Sequence, residues 1–128
     1  MKPPSEDSEQ IALVTALRLA KLYFVHVPMG GARARGSGAV MRRLGARKGF
    51  PDVLIFDPPP NALRKAVSEG GRQPPGVAIE LKRADGGRGA SQEQQRELAK
   101  LAKRGWLTAV CNGCAAAVEQ LRAWGYEL

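Results

Sequence analysis

Gly49-Phe-Pro-Asp52 leads directly into Val53-Leu-Ile-Phe56, and a second apolar run, Val77-Ala-Ile-Glu-Leu-Lys82, follows some twenty residues later. These two stretches decide the fold. Each is short, apolar and rich in β-branched residues, which predicts a pair of buried strands. Side chains alternate along a strand, so Glu80 and Lys82 share one face and Leu81 takes the other. A carboxylate inside a core strand is costly unless it is paired or binds a cation. Asp52 stands at the mouth of the first strand, and a divalent cation shared between Asp52 and Glu80 would satisfy both acids.

The chain has 128 residues and a formal net charge of +8, with a pI near 10.1. That length predicts one domain over residues 1–128 with a real core. The charge predicts a polyanionic partner, nucleic acid first and an acidic membrane surface second. Its distribution is uneven. Residues 31–50 hold Arg33, Arg35, Arg42, Arg43, Arg47 and Lys48 and no acid, whereas the residues before them balance to zero. The excess therefore sits just ahead of Asp52. No apolar run approaches the roughly 20 residues of a membrane span, and two cysteines do not make a secreted disulfide scaffold, so a cytoplasmic, membrane-free protein is expected.

Ser5 reads as an N-cap with Glu6 and Asp7 in the first turn, opening a helix expected over Ile11 to Leu22 and buried over most of its circumference. Glu9 shares an apolar stripe of that helix. It is either a first-turn acid favoured by the helix dipole or a carboxylate aimed at the same metal centre. Tyr23 to Val27 reads as a strand stopped by Pro28, and its His26, the only histidine, reads as a hydrogen-bonded ring. From Met29 to Lys48 glycine and arginine dominate, with a short helix around Ala39 to Leu44. Glycine permits close backbone approach and arginine grips phosphate with paired hydrogen bonds, so this segment reads as a phosphate-backbone contact, the alternative being a merely solvated loop.

Residues 58–75 read as a surface insertion between the two core strands, holding a helical turn at Asn61 to Val67. Arg83 to Gly89, with Arg83 and Arg88, is a second basic turn. Ser91-x-x-Gln94 has the spacing of a capping box and starts a helix to about Arg104, with Leu98, Ala99, Leu101 and Ala102 on its buried side. Trp106 to Cys111 is the last strand and Cys114 to Trp124 the last helix. Cys111 and Cys114 have the spacing of a redox pair, but one pair is too few for a four-ligand zinc site, and two packed or turn cysteines fit better.

The order is helix, strand, basic loop, strand with Asp, strand with Glu-x-Lys, helix, strand, helix. With Pro51-Asp52 and Glu80-Leu81-Lys82 it resembles the PD-(D/E)XK nuclease superfamily. More narrowly, His26-Val-Pro28, Gly45 and Gly49-Phe-Pro-Asp52, Ile79-Glu-Leu-Lys-Arg83, Gly86-Gly87, Ser91-x-x-Gln94 and Gly105 resemble a stand-alone VRR-NUC domain over nearly the whole chain. The resemblance implies an α/β, restriction-endonuclease-like core, a central mixed β-sheet of about four strands flanked by helices in the order αβββαβα. It implies metal ligands at Asp52 and Glu80, completed by the Leu81 backbone carbonyl, and Lys82 as the residue that orients or deprotonates the attacking water. Glu9 would be the first-helix acid and Gln94 the helix glutamine near the site. Two carboxylates and a carbonyl are hard oxygen donors suited to Mg²⁺ or Mn²⁺.

Arg33, Arg35, Arg42, Arg43, Arg47, Lys48, Arg83 and Arg88 would hold the DNA backbone. Small members of this kind imply a homodimer acting on branched or junction DNA, a two-fold assembly presenting two sites to two strands. Two other classes compete: a non-catalytic DNA-binding module of the same fold, and a redox protein built on the cysteines.

Overall fold

The computed structural model describes residues 2–28 and 38–128. Arg33 and Arg35 lie outside the described residues. The elements are α1 (Glu6–Leu19), β1 (Phe24–His26), α2 (Gly38–Arg43), β2 (Val53–Ile55), α3 (Pro60–Glu69), β3 (Val77–Lys82), α4 (Gln92–Lys103), β4 (Leu107–Asn112) and α5 (Cys114–Ala123). They form a four-stranded mixed sheet in the order β1-β2-β3-β4. β1 and β2 are antiparallel, as are β2 and β3, with Val53 opposite Ile79; β3 and β4 run parallel.

Strand alternation divides the core in two. Val53, Ile55, Val77, Ile79 and Leu81 face α1 and α5, where they meet Leu13, Leu17, Ala117 and Leu121. Leu54 and Ala78 face α4, where they meet Leu98 with Phe50, Leu101 and Trp106 around them. Burying each of these aliphatic side chains contributes about 1.5–3 kcal/mol. Since Leu81 belongs to the first face, Glu80 and Lys82 are delivered to the second, beside α4.

The order of elements is the expected one, and α2 falls at the short helix expected around Ala39 to Leu44. Three expectations need correction. The first helix begins at the turn set by Ser5, whose side chain accepts from the Ser8 amide, and ends at Leu19 rather than Leu22. Only Leu13 and Leu17 are buried on it, while Ile11 is 68% and Leu19 80% exposed, because a single sheet face covers one stripe of the helix. The supposed turn at 61–67 is a full ten-residue helix, pinned by the Asn61 amide on the Trp124 carbonyl and the Asn61 side chain on the Ala123 carbonyl. On α4, Ala99 and Ala102 are exposed, and the buried partner of Leu98 is Glu97. No described helix is long and apolar enough to cross a membrane.

Candidate active site

β2 and β3 converge where Asp52 ends one strand's approach and Glu80 sits within the other. The Leu81 amide donates to Asp52 Oδ2 at 2.7 Å, which fixes the carboxylate against the strand. Backbone groups of one residue leave an extended strand on the same edge, so the Leu81 carbonyl also points toward the β2 side. Extending the register from Val53 opposite Ile79 sets Pro51 across from Leu81. Proline has no N–H to donate, so the ladder bond that would consume this carbonyl is missing. The Pro-Asp pair thus contributes a carboxylate and leaves a carbonyl beside it.

Glu80 is 2% exposed and Lys82 9%. Lys82 Nζ lies 3.3 Å from Glu80 Oε1. Gln94, on the first turn of α4, ties them together: Nε2 donates to Glu80 Oε1 at 2.7 Å, and Oε1 accepts from Lys82 Nζ at 2.9 Å. The same Oε1 accepts from the Ser91 amide at 2.8 Å, while Ser91 Oγ accepts from the Gln94 amide at 3.1 Å. The amide orientation is dictated by this network, since a flipped side chain would turn an NH₂ onto an ammonium. The sequence posed a cap or a site residue; Gln94 is both.

Glu80 Oε2 is buried and has no hydrogen-bond partner among the described residues. Burial, and then the neighbouring Asp52 charge, push the Glu80 carboxyl up to about 7. Asp52 is raised too, chiefly by burial, with the Leu81 amide opposing. A buried and a half-buried acid side by side with one lysine lack positive charge. An orphaned carboxylate oxygen, a second carboxylate and a carbonyl on the same edge form a hard-oxygen donor set that fits a divalent cation.

Glu9 is not brought into this pair. Its Oε1 accepts from the Cys114 amide at 3.0 Å, and its Oε2 lies against Gly113, so it caps α5. Among the described residues no group of three or more His, Cys, Asp or Glu forms a metal cluster. Glu6, exposed on the first turn of α1, adds only a small repulsion to Glu80. Glu6 precedes Leu13 by two helical turns and Leu17 by three, on the stripe that packs toward β3, whereas Glu9 is rotated toward α5.

His26 stands next to the site as a hydrogen-bonded ring, Nδ1–H donating to the Asp52 carbonyl at 2.9 Å. Of the basic residues, Arg83 is paired with Asp85 at 3.0 Å and Arg88 is exposed on the same turn. Arg42 and Arg43 are exposed on α2; Arg47 bonds Glu97, and Lys48 lies 3.7 Å from Glu93. The cysteines are free. Burial pushes the Cys111 thiol up to about 11 and raises Cys114 as well, opposite to what a reactive redox pair requires.

No family model matches the chain, and no curated protein matches it. Among solved structures it is similar to one described as a VRR_NUC domain protein, with a TM-score of 0.72 at 23% identity, covering 98% of this chain and 91% of that one. The likeness establishes the fold: the mixed sheet with its flanking helices is the restriction-endonuclease-like architecture of a VRR_NUC domain.

Proposed function

We propose that this chain is a Mg²⁺- or Mn²⁺-dependent DNA endonuclease that hydrolyses phosphodiester bonds in branched DNA such as a four-way junction, working as a homodimer in the cytoplasm. The observation that carries the reading is the orphaned Glu80 oxygen beside Asp52, within a cluster that Lys82 and Gln94 complete. The fold likeness to a VRR_NUC domain protein supports a nuclease. The branched substrate and the dimer rest on the sequence resemblance and on the economy of pairing two sites by a two-fold axis.

Asp52 and Glu80, with the Leu81 carbonyl, would hold the cation. Bound there, it neutralises charge on the phosphoryl oxygens and acidifies a water. Gln94 Oε1 directs the Lys82 ammonium toward the same space, where it stabilises the negative charge that builds during hydrolysis. Gln94 Nε2 holds Glu80 Oε1 and thereby leaves Oε2 available. Protons compete with the cation for Glu80, so the metal concentration needed for cleavage is expected to fall as pH climbs through about 7.

The test is cleavage of labelled linear duplex, flap, splayed-arm and four-way-junction DNA with Mg²⁺ or Mn²⁺, run beside Asp52→Ala and Lys82→Ala. Cutting of branched DNA by the native protein, with variants that bind but do not cut, is expected. Binding without cutting in either metal would reduce the chain to a DNA-binding module of the same fold. Sedimentation of the native protein tests the dimer.

A further inference from the structure

Beside the catalytic cluster, a cleft of about 310 Å³ opens between the segment after α2 and the outer flank of α4. Arg42, Arg47 and Lys48 line one wall. Arg96 and Lys100 line the other, on the helical stripe that also carries Glu93 and Glu97. The five cations outnumber the two carboxylates, and both carboxylates are engaged. Glu97 Oε1 accepts from Arg47 Nε at 2.5 Å, and its Oε2 from Lys100 Nζ at 2.9 Å. Glu93 lies 3.7 Å from Lys48. Among the described residues Arg42 and Arg96 form no salt bridge.

Glu97 is itself 5% exposed, so it anchors two cations from below while their outer N–H groups face the cleft. An arginine held through one edge of its planar fork keeps its remaining donors oriented. The cleft is also tied to the catalytic cluster. Gly49, at φ +81°, packs on the α4 backbone so closely that a Cβ would lie 2.7 Å from the Glu93 carbonyl carbon and 2.9 Å from the Gln94 nitrogen. One turn of α4 therefore faces the cleft through Glu93 and the catalytic cluster through Gln94. From Arg47 to Asp52 the chain spans at most about 17 Å, about five steps of a duplex strand.

We propose that this cleft seats the phosphate backbone of the DNA strand leading away from the cut, with Arg42 and Arg96 as direct phosphate contacts and Glu97 as the positioning residue for Arg47 and Lys100. The inference rests on the nuclease reading above and assigns Arg96, Lys100 and Glu97 roles beyond it. Contacts of this kind fix the register of a strand and are indifferent to base sequence.

The experiment is fluorescence anisotropy of the full-length protein with a labelled duplex in EDTA, so that no strand is cut, across a series of KCl concentrations. Arg96→Gln/Lys100→Gln should weaken binding by about tenfold or more at moderate salt. It should also lower the slope of log affinity against log salt by about 2, the loss of two phosphate contacts. Arg42→Gln, on the opposite wall, should lower the slope by about 1. Lys103→Gln, on the same helix but outside the cleft, should leave the slope at its native value. A thermal melt on each variant checks that it folds. Native DNA binding with an unchanged slope in the α4 double variant overturns the cleft and leaves the nuclease reading standing, as does a Lys103→Gln loss equal to that of Arg42→Gln. Absence of any DNA binding by the native protein at low salt overturns both.

Discussion

Two carboxylates flank α4, Glu80 from β3 and Glu97 on the helix itself; both are closed off from solvent, and their chemistry is opposite. Glu80 is 2% exposed and its carboxyl is pushed up to about 7; Glu97 is 5% exposed and its carboxyl is held below the usual range. Burial is the largest cause of the rise at Glu80, whereas at Glu97 the hydrogen bond from Arg47 outweighs it. Arg47 holds both oxygens of Glu97, through Nε on Oε1 and Nη2 on Oε2, and Lys100 adds a second cation to Oε2, both reaching in from solvent. Glu80 shares one oxygen between Lys82 and Gln94, faces a second acid, and has nothing on its other oxygen. The first carboxylate is satisfied by its own protein and the second is not. A buried acid with one oxygen left unpartnered is a candidate cation ligand, and one with cations on both oxygens is a scaffold.

The comparison can be broken at its strong end first. Asp52→Ala or Glu80→Gln should lower cleavage by about 10³-fold or more, since the cation they would hold supplies several kcal/mol of transition-state stabilisation. Glu97→Gln should leave kcat within about threefold and raise KM for DNA, the split that separates chemistry from strand binding. Gln94→Ala lies between. It removes the bridge to Glu80 and Lys82 and half of a capping box, and should cost about 10–100-fold in activity, as lost supporting partners of metal ligands do.

Stability sharpens the contrast. Glu97→Gln strips the anchor from Arg47 and Lys100 and should lower Tm by about 2–5 °C, whereas Glu80→Gln relieves a crowded pair of acids and should leave Tm unchanged or raise it near pH 8. The pH dependences should have opposite signs. A carboxyl raised in the folded protein, as Glu80 is from 4.5 to about 7, favours the folded state fully below pH 4.5. That stabilisation is lost as pH rises through about 7. A carboxyl lowered in the folded protein, as Glu97 is, stabilises above its ordinary 4.5 and loses that effect as pH falls through its folded value. Melting curves from about pH 2 to 8 on the native protein, Glu80→Gln and Glu97→Gln separate the two contributions. The smallest expected effect is on metal response: Mn²⁺ should raise Tm more at pH 8 than at pH 6, and not at all in Glu80→Gln.

Much of this was legible beforehand for a physical reason. The apolar alternation of Val53–Phe56 and Val77–Lys82 sorts side chains by parity alone, so the convergence of Asp52, Glu80 and Lys82 follows once the strands pair. Ser91-x-x-Gln94 announced its helix by local hydrogen bonding. Helix α1 was harder to read: its residues are apolar nearly all round, and only the sheet's position picks out Leu13 and Leu17. Glu97 was invisible because a charged residue in a polar helix reads as solvated until its partner Arg47, fifty residues earlier, is brought against it.

By itself, then, the chain's order of residue types determined strand parity, the cap of α4, the cluster of cations ahead of Asp52 and the acids flanking the sheet. All of these depend on neighbours within a turn or a pleat. The tertiary structure alone decided which carboxylate is left without a partner, which glutamine atom meets which charge, and that Glu9 caps α5. Those outcomes depend on distances between segments far apart in sequence, and electrostatic energy is set by such distances rather than by position along the chain.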